Sequence, residues 1–396
     1  MKKLFRITTA SVSLASLLKG QLNFFNHYYD VTAIADSENM QAWKTISERE
    51  QVKCYPIPMK RDISIFNDIN SVFKLYHYFK KEKPFIVHTN TPKASLLGMV
   101  AAKFAKVPNR IYTVTGLRFE GSTGYHRKIL IFMERVTCWA ATKVIPEGQG
   151  VKKTLLKNKI TDKTLQIIAN GNINGIDTSY FSSTLYSSEQ REKLKSELNI
   201  RSHDIVFCFV GRLVKDKGIN ELVAAFSQLS TVIEEVRHCE VRSNQLSIKL
   251  LLVGPFEREL DPLLPETEQE IEDNPNIISI GSQKDVRPYL AISDIFVFPS
   301  YREGFPNVVM QAGAMELPCI VTDINGCNEI IEEGVNGLII PPKNKEQLQA
   351  KMQLLLENSE LRDKLKSNAR GMITSRYEQE MVWEGLLAEY RKLENV

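Results

Sequence analysis

The chain of 396 residues has no apolar stretch near the roughly 18 residues that a membrane-crossing helix needs. Its 20 glycines and 16 prolines are too few for a collagen-like or low-complexity protein. The six cysteines (Cys54, Cys138, Cys208, Cys239, Cys319 and Cys327) are scattered, and none forms a C-x-x-C pair. That spacing argues against a zinc ribbon or a disulfide framework and is expected of buried thiols in a reducing compartment. His238 and Cys239 adjoin but lack further ligands at metal-binding spacing. No fixed-period repeat occurs. Several catalytic fingerprints are also missing. No G-x-G-x-x-G follows the first apolar run, no G-x-x-x-x-G-K-[ST] is present, and no G-x-S-x-G elbow occurs. There is no D-x-D; the nearest approach is Asp36-Ser37-Glu38. A Mg²⁺-bridged diphosphate normally takes one or two carboxylates. No metal or cofactor is therefore expected, and any diphosphate is expected to be held by Lys, Arg and backbone amides.

What is present reads as an ordinary globular chain, 43% hydrophobic and 25% charged. Its length predicts two domains. The net charge of +4 conceals a polarity: residues 1–170 hold 27 Lys and Arg against 12 Asp and Glu, and the remainder 24 against 35. A basic first half suits an anionic partner, which can be nucleic acid, an anionic membrane surface or a phosphorylated acceptor; a merely solvated basic face fits equally. Nucleic acid is disfavoured, because basic and aromatic residues do not interleave and no recognised module occurs. The opening MKKLFRITTASVSLASLL imitates a secretory signal. Arg6 and the Thr and Ser residues interrupt its apolar core, so it reads as a first β-strand of a cytoplasmic protein.

Short β-branched or aromatic runs alternate with amphipathic stretches. Strands are expected at 3–9, 31–36, 52–58, 85–90, 111–116, 143–146 and 165–170, with a helix over 67–82. The pattern restarts at 205–211, 249–254, 276–281, 295–300 and 319–323, in near-continuous apolar runs that suit strands buried on both faces. The expectation is an α/β protein with two doubly wound Rossmann-like domains. The N-terminal domain covers 1–170, a Gly/Asn/Ser-rich linker 171–203 and the C-terminal domain 204–375. A single amphipathic helix over 376–396 is expected to pack back on the first domain. The polar stretch near 230–246 reads as a surface insertion, longer than the usual connection of roughly 2–6 residues.

Two segments of the second half carry chemistry. In VGRLVKDKG (210–218) a buried strand ends at Gly211, and Arg212 and Lys217 follow in the loop entering a helix. Ligands of doubly wound folds bind at the carboxyl ends of strands, and two cations at a helix start suit a diphosphate. Alone this is a weak signal, because lysine-rich loops are often just solvated. The second segment, FPSYREGFPNVVMQAGAMELP (298–318), is more specific. Its loop Tyr301 to Phe305 leads to Pro306, well placed as a first helical residue. Gly304 permits close approach of the backbone to a ligand, and the amides around Gly304–Val308 form an anion site. Glu303, Asn307 and Gln311 can share one crevice. A carboxylate beside an anion site is costly unless it binds hydroxyls, a combination that suits a sugar carried on a diphosphate.

These segments, together with SVSLASLLKGQ (11–21), VHTNTPKASLLGMVAA (87–102), LLVGPFE (251–257) and NGCNEIIEEGVNGLIIPP (325–342), occur in the order of the retaining GT-B glycosyltransferases of family 4. The chain resembles that family over nearly its whole length. The resemblance implies two Rossmann-like domains facing a central cleft and transfer of a hexose from a nucleotide diphosphate sugar. It implies that Arg212 and Lys217 neutralise the departing diphosphate and that Glu303 contacts the donor sugar. The amides of Gly304, Phe305 and Asn307 would hold sugar and phosphate oxygens, and Gln311 the ribose hydroxyls. The family pattern has Glu where Gln311 stands, and losing that charge-assisted bond is worth about 1–2 kcal/mol. It also often carries His in a T-V-H-G turn. Here the turn has Thr115, and His88, one strand earlier, is a candidate substitute among the catalytic residues; it equally fits a hydrogen-bonded histidine at a strand end.

The implied acceptor is a polyprenyl-diphosphate-linked saccharide at the inner face of a bacterial membrane, in capsule, O-antigen or exopolysaccharide assembly. The stretch 118–135 mixes basic residues with Ile129, Leu130, Ile131 and Phe132, which suits either a membrane-surface helix or an ordinary core helix. Two rival functions stay open on the residues alone, a nucleotide-sugar epimerase on the same architecture and a catalytically inactive sugar-nucleotide-binding protein.

Overall fold

A computed structural model describes residues 1–36, 40–59, 64–239, 247–259 and 261–395. The chain divides into two units. Residues 1–175 and 379–396 form the first, and 176–378 the second.

The first unit holds a parallel sheet in the order β3-β2-β1-β4-β5-β6. Its strands are β1 (Lys3–Ile7), β2 (Asp30–Ala35), β3 (Lys53–Pro56), β4 (Ile86–Thr89), β5 (Asn109–Val114) and β6 (Lys143–Pro146). The second sheet repeats that order as β9-β8-β7-β10-β11-β12. It contains β7 (Asp204–Val210), β8 (Ser247–Val253), β9 (Ile277–Ser279), β10 (Ile295–Phe298), β11 (Cys319–Thr322) and β12 (Gly337–Ile340). Both are doubly wound sheets, whose order reverses between their first and fourth strands.

Alternation along the strands feeds two cores in the first unit. Phe5 and Ile7 pack on one face with Leu75 and Phe79 of the Ile65–Glu82 helix. Leu4, Val31 and Ile86 pack on the other with Leu386, Leu387 and Tyr390 of the Gln379–Lys392 helix. That helix is tied down by the Lys143–Glu389 ion pair and by the Trp383 indole, which donates to Asn174 Oδ1 at 2.7 Å.

Three expectations need correction. Residues 165–170 form no strand. Leu165 and Ile168 are buried, yet Ile168 lies against Gly385 of the C-terminal helix, and side-chain packing supplies what a ladder would have. β12, absent from the expectation, pairs with β11 from Cys319↔Gly337 to Thr322↔Ile340. The segment near 230 is not an irregular insertion at its start: one helix runs Ile219–Cys239, and 240–246 lie outside the described residues. The C-terminal helix is Gln379–Lys392, and a separate helix, Ser359–Tyr377, precedes it across the extended Glu378. The stretch 171–203 carries its own helix, Ser188–Glu197, opened by a capping box between Ser187 and Gln190.

Candidate functional site

In the second unit β7 and β10 lie side by side at the point where the strand order reverses, with Phe207 opposite Ile295. The loops leaving their carboxyl ends are the ones that carry the chemistry expected from the sequence, and this is where doubly wound folds bind ligands. After β7 the chain turns at Gly211 to Arg212, then through a 3₁₀ turn, Lys215–Lys217, into the Ile219–Cys239 helix. After β10 it runs through Ser300 to Phe305 and enters the Asn307–Ala314 helix. Pro306 is the N-cap of that helix, one position earlier than expected, and no described side chain caps it.

Tight glycines bring the two loops together. A Cβ on Gly218 would lie 2.2 Å from the Pro299 carbonyl oxygen, and on the other side of the β7 loop one on Gly254, which follows β8, would lie 1.8 Å from the Gly211 carbonyl oxygen. Tyr301 N–H donates to the Asp216 carbonyl at 2.9 Å, and Arg302 pairs with the Asp216 carboxylate at 2.9 Å.

The result is a paired cation and anion. The Lys217 ammonium contacts the Glu303 carboxylate, and both side chains are more than four-fifths buried. Lys217 also lies 5.3 Å from the centre of the Phe298 ring, and Ser300 Oγ donates to Glu303 Oε1 at 3.0 Å. These contacts hold the two side chains against each other. Arg212, half exposed, donates to Glu257 Oε2 at 2.5 Å. Phe305 is buried and packs edge-on to Tyr377, which anchors the loop's far end. Gly304, Asn307 and Gln311 are partly exposed along the same segment. Arg212, Lys217, Glu303, Gly304 and Phe305 belong to this one pair of loops, and Asn307 and Gln311 to the helix that follows the second. Burial and the Glu221 carboxylate, which accepts a hydrogen bond from the Tyr301 hydroxyl at 2.5 Å, push the Tyr301 phenol up, so it stays protonated as a donor.

His88 is elsewhere. It is on β4 of the first unit, opposite Arg6 of β1, and 1% exposed. One ring nitrogen meets the Tyr390 hydroxyl at 2.5 Å and the other Thr113 Oγ1 at 2.7 Å. Burial, then the Arg6 charge, hold its pKa well below the usual histidine value, so the ring is neutral at physiological pH. His88 is thus a link in a buried polar network that clamps the C-terminal helix to the sheet, not an open acid or base. Thr115 Oγ1, at the turn, donates to the Asn90 carbonyl at 2.8 Å.

Glu257, Ser300 and Gly326 were not singled out from the sequence. Gly326 has φ +74°, and a Cβ there would lie 2.6 Å from the Gly304 carbonyl oxygen and 2.7 Å from Phe305 Cα. It is the platform under the 304–306 loop. Glu257 and Gly326 fall inside sequence blocks already noted, but only proximity reveals their roles. Among the described residues no group of three or more His, Cys, Asp and Glu is placed to hold a metal ion, and no helix is long and apolar enough to cross a membrane.

Comparisons with known proteins agree with this architecture. Residues 190–372 match the family model described as glycosyl transferases group 1, and 12–147 the model described as glycosyl transferase 4-like. The chain is 32% identical over 391 residues to the capsular polysaccharide biosynthesis glycosyltransferase CapM of Staphylococcus aureus, covering 98% of this chain and 97% of that one. It is 28% identical to the Escherichia coli UDP-Gal:alpha-D-GlcNAc-diphosphoundecaprenol alpha-1,3-galactosyltransferase, over 74% of this chain and 71% of the relative. Its fold matches that of Anabaena HepE, solved in complex with UDP and glucose, with a TM-score of 0.79 over 99% of this chain and 100% of the other at 18% identity. Two doubly wound sheets and two matching family models together make this chain a member of the group 1 glycosyltransferases, with the GT-B fold.

Proposed function

We propose that the protein transfers a hexose from a nucleoside diphosphate sugar to a saccharide carried on a polyprenyl diphosphate, with retention at the anomeric carbon and without a metal ion, in the assembly of a bacterial capsule, O-antigen or exopolysaccharide. The observation that carries this reading is the preset Lys217–Glu303 pair beside Arg212, at the reversal point of the second sheet. When donor binds, the Lys217 ammonium turns from Glu303 to the diphosphate, and Glu303 is left to accept hydrogen bonds from sugar hydroxyls. As the bond between C1 and the phosphate oxygen breaks, negative charge grows on the leaving diphosphate. Arg212 and Lys217, released from their carboxylate partners, and the amides of Gly304, Phe305 and Asn307 meet that charge. The acceptor oxygen forms the new bond to C1 on the face that the diphosphate leaves, and its proton passes to the departing phosphate oxygen. No protein nucleophile is needed, and neutral, buried His88 takes no part in proton transfer.

The names of the two curated relatives, one from capsule synthesis and one acting on a diphosphoundecaprenol-linked sugar, support the lipid-linked acceptor. The test is a panel of nucleotide sugars incubated with a short-chain polyprenyl-diphosphate-linked sugar in the presence of a chelator. An α-configured donor is expected to give an α-glycoside, read from the anomeric carbon–proton coupling. A β-product, loss of turnover on chelation, or interconversion of the donor with no acceptor present would contradict the reading.

Access to such an acceptor places the protein on the cytoplasmic face of a membrane. The Gly124–Ala140 helix supports this and combines both readings of its sequence. Leu130, Thr137 and Cys138 are buried in the first unit, whereas Tyr125, Phe132 and Trp139 are 78%, 65% and 55% exposed at seven-residue spacing beside exposed Lys128 and Arg135. Aromatic and basic residues on one outer face suit an anionic lipid surface. The protein is expected to float with vesicles containing phosphatidylglycerol at low salt and to lose that association in the Phe132→Ser, Trp139→Ser double variant. No co-flotation of the unaltered chain would remove the membrane surface from the account.

A further inference from the structure

Each of the two cations assigned to the diphosphate is paired with a carboxylate, Lys217 with Glu303 and Arg212 with Glu257. Glu303 has a second task, to accept hydrogen bonds from sugar hydroxyls. Glu257 has none, although it sets a negative charge beside an arginine that must meet a diphosphate. Its place is fixed by the fold. It lies just past the end of β8, and the segment leaving β8 keeps pairing with the one leaving β7. Gly211 N–H donates to the Val253 carbonyl at 2.9 Å, Leu213 N–H donates to the Pro255 carbonyl at 2.8 Å, and Leu213 and Phe256 form an isolated parallel bridge. Further along, Asp216 N–H donates to Asp261 Oδ2 at 2.8 Å. The backbone on either side of Arg212 is therefore anchored to the backbone on either side of Glu257, and the 2.5 Å contact between the two side chains starts from two fixed points.

The side chains themselves are free to part. Those of Arg212 and Glu257 are 49% and 30% exposed, against 17% and 18% for Lys217 and Glu303. Water screens a pair this open, and exposed pairs favour the closed form by only about twofold to fivefold. A diphosphate carries more charge than one carboxylate and offers the planar guanidinium several oxygens at once, so it displaces Glu257. The displaced carboxylate stays tethered beside the ligand. From there it competes for the same guanidinium and repels the phosphate oxygens. That opposition has a use. Cations strong enough to draw off the leaving diphosphate also retain it as product, and binding every state equally tightly does not raise turnover.

We infer that Glu257 is an exchange partner for Arg212: it gives up the guanidinium when the donor binds and takes it back as the nucleoside diphosphate leaves, so that product departs faster than the two cations alone would allow. Glu257 is a positioning residue. It acts through Arg212 and touches no reacting atom. The inference rests on the assignment of Arg212 to the diphosphate and adds the step that clears the site after transfer. A carboxylate that served instead to aim Arg212 at its ligand would act with the opposite sign, because its removal would loosen binding.

Glu257→Gln is the test, since it keeps the shape of the side chain and removes its charge. UDP, GDP, dTDP and ADP are titrated calorimetrically into the full chain, and the one that binds most tightly is carried forward. Titrations are run at about 0.15 M salt, where a Debye length of about 8 Å suppresses long-range steering. In Glu257→Gln the Kd of that nucleotide is expected to fall about twofold to fivefold. Its off-rate, read by stopped-flow displacement, is expected to fall by the same factor, with little change in on-rate. Glu259→Gln removes an exposed carboxylate from the same loop and is the control for general repulsion; both constants are expected to stay nearly unchanged. Weaker binding in Glu257→Gln overturns the inference, because Glu257 would then be aiming Arg212 at the ligand or merely supporting the loop. An unchanged off-rate overturns it too, as does equal tightening by Glu259→Gln, which would trace the effect to net charge. Failure of all four nucleotides to bind refutes the donor reading itself, and binding that Arg212→Ala leaves untouched refutes the place of Arg212 in it.

Discussion

Lys217→Ala is expected to lower turnover by about 100-fold or more at saturating donor, with the fold retained. One preorganised contact to developing negative charge is typically worth about 2.7–4 kcal/mol. Two features place Lys217 at the upper end of that effect. Its ammonium is mostly buried and set against the Phe298 ring, so it is poorly screened by water. Removing it also leaves the Glu303 carboxylate without its cation next to where the diphosphate must sit, and repulsion adds to lost attraction. The pair lies in a loop outside the hydrophobic core, but losing Lys217 leaves the mostly buried Glu303 unpaired, so the melting temperature should fall while the fold is kept. The measurement is single-turnover transfer with donor in excess. A rate near that of the unaltered protein would show that Lys217 does not meet the leaving group.

The second large effect is expected at a residue with no functional group. Gly326→Ala should destabilise the protein and weaken donor binding together, while Gly334→Ala should do little of either. Both glycines have a positive φ, +74° and +72°, so each substitution carries some backbone cost, about 1 kcal/mol or more. They differ in what a Cβ would meet. At Gly334 nothing is within 4 Å, whereas at Gly326 the new carbon would press on backbone and ring atoms of Gly304, Phe305 and Pro306 at 2.6–2.8 Å. Backbone cannot swing aside like a side chain. Overpacking of this kind costs a further 1–3 kcal/mol or so, and it moves the loop whose amides are assigned to the donor. Denaturant unfolding and nucleotide titration of the pair check this. Equal behaviour of the two variants would mean that the 304–306 loop does not depend on its platform.

Most of the architecture was legible because parallel strands buried on both faces leave long apolar runs, as in VFCFV and LLLV. The failures have local causes. GLII of β12 is four residues after a turn, too short to stand out, and is a strand because β11 offers it a free edge. LQIIAN has strand composition but no ladder partner; helix packing buries it instead. The helix boundary expected at 376 falls two residues before the break at Glu378, which has neither Pro nor Gly to signal it. It depends on contacts from distant sequence: Ile176 N–H donates to the Tyr377 carbonyl at 2.8 Å, and Thr178 bonds the Glu378 side chain.

The site divides in the same way. Arg212, Lys217 and Glu303 were readable because each follows a buried strand within a few residues. Glu257 was not, because it follows β8 and reaches Arg212 only through the fold. His88 kept two readings open in the sequence because its partner Tyr390 is 302 residues away. A sequence cannot show that both of a histidine's nitrogens are already engaged.

The most direct test is a crystal structure of the protein with an intact nucleotide sugar or an unreactive analogue. The diphosphate should lie at the carboxyl ends of β7 and β10, within hydrogen-bond reach of Arg212 and Lys217, with Glu303 released from Lys217 and bound to sugar hydroxyls. A nucleotide bound anywhere else, with Lys217 still closed on Glu303, would contradict the account.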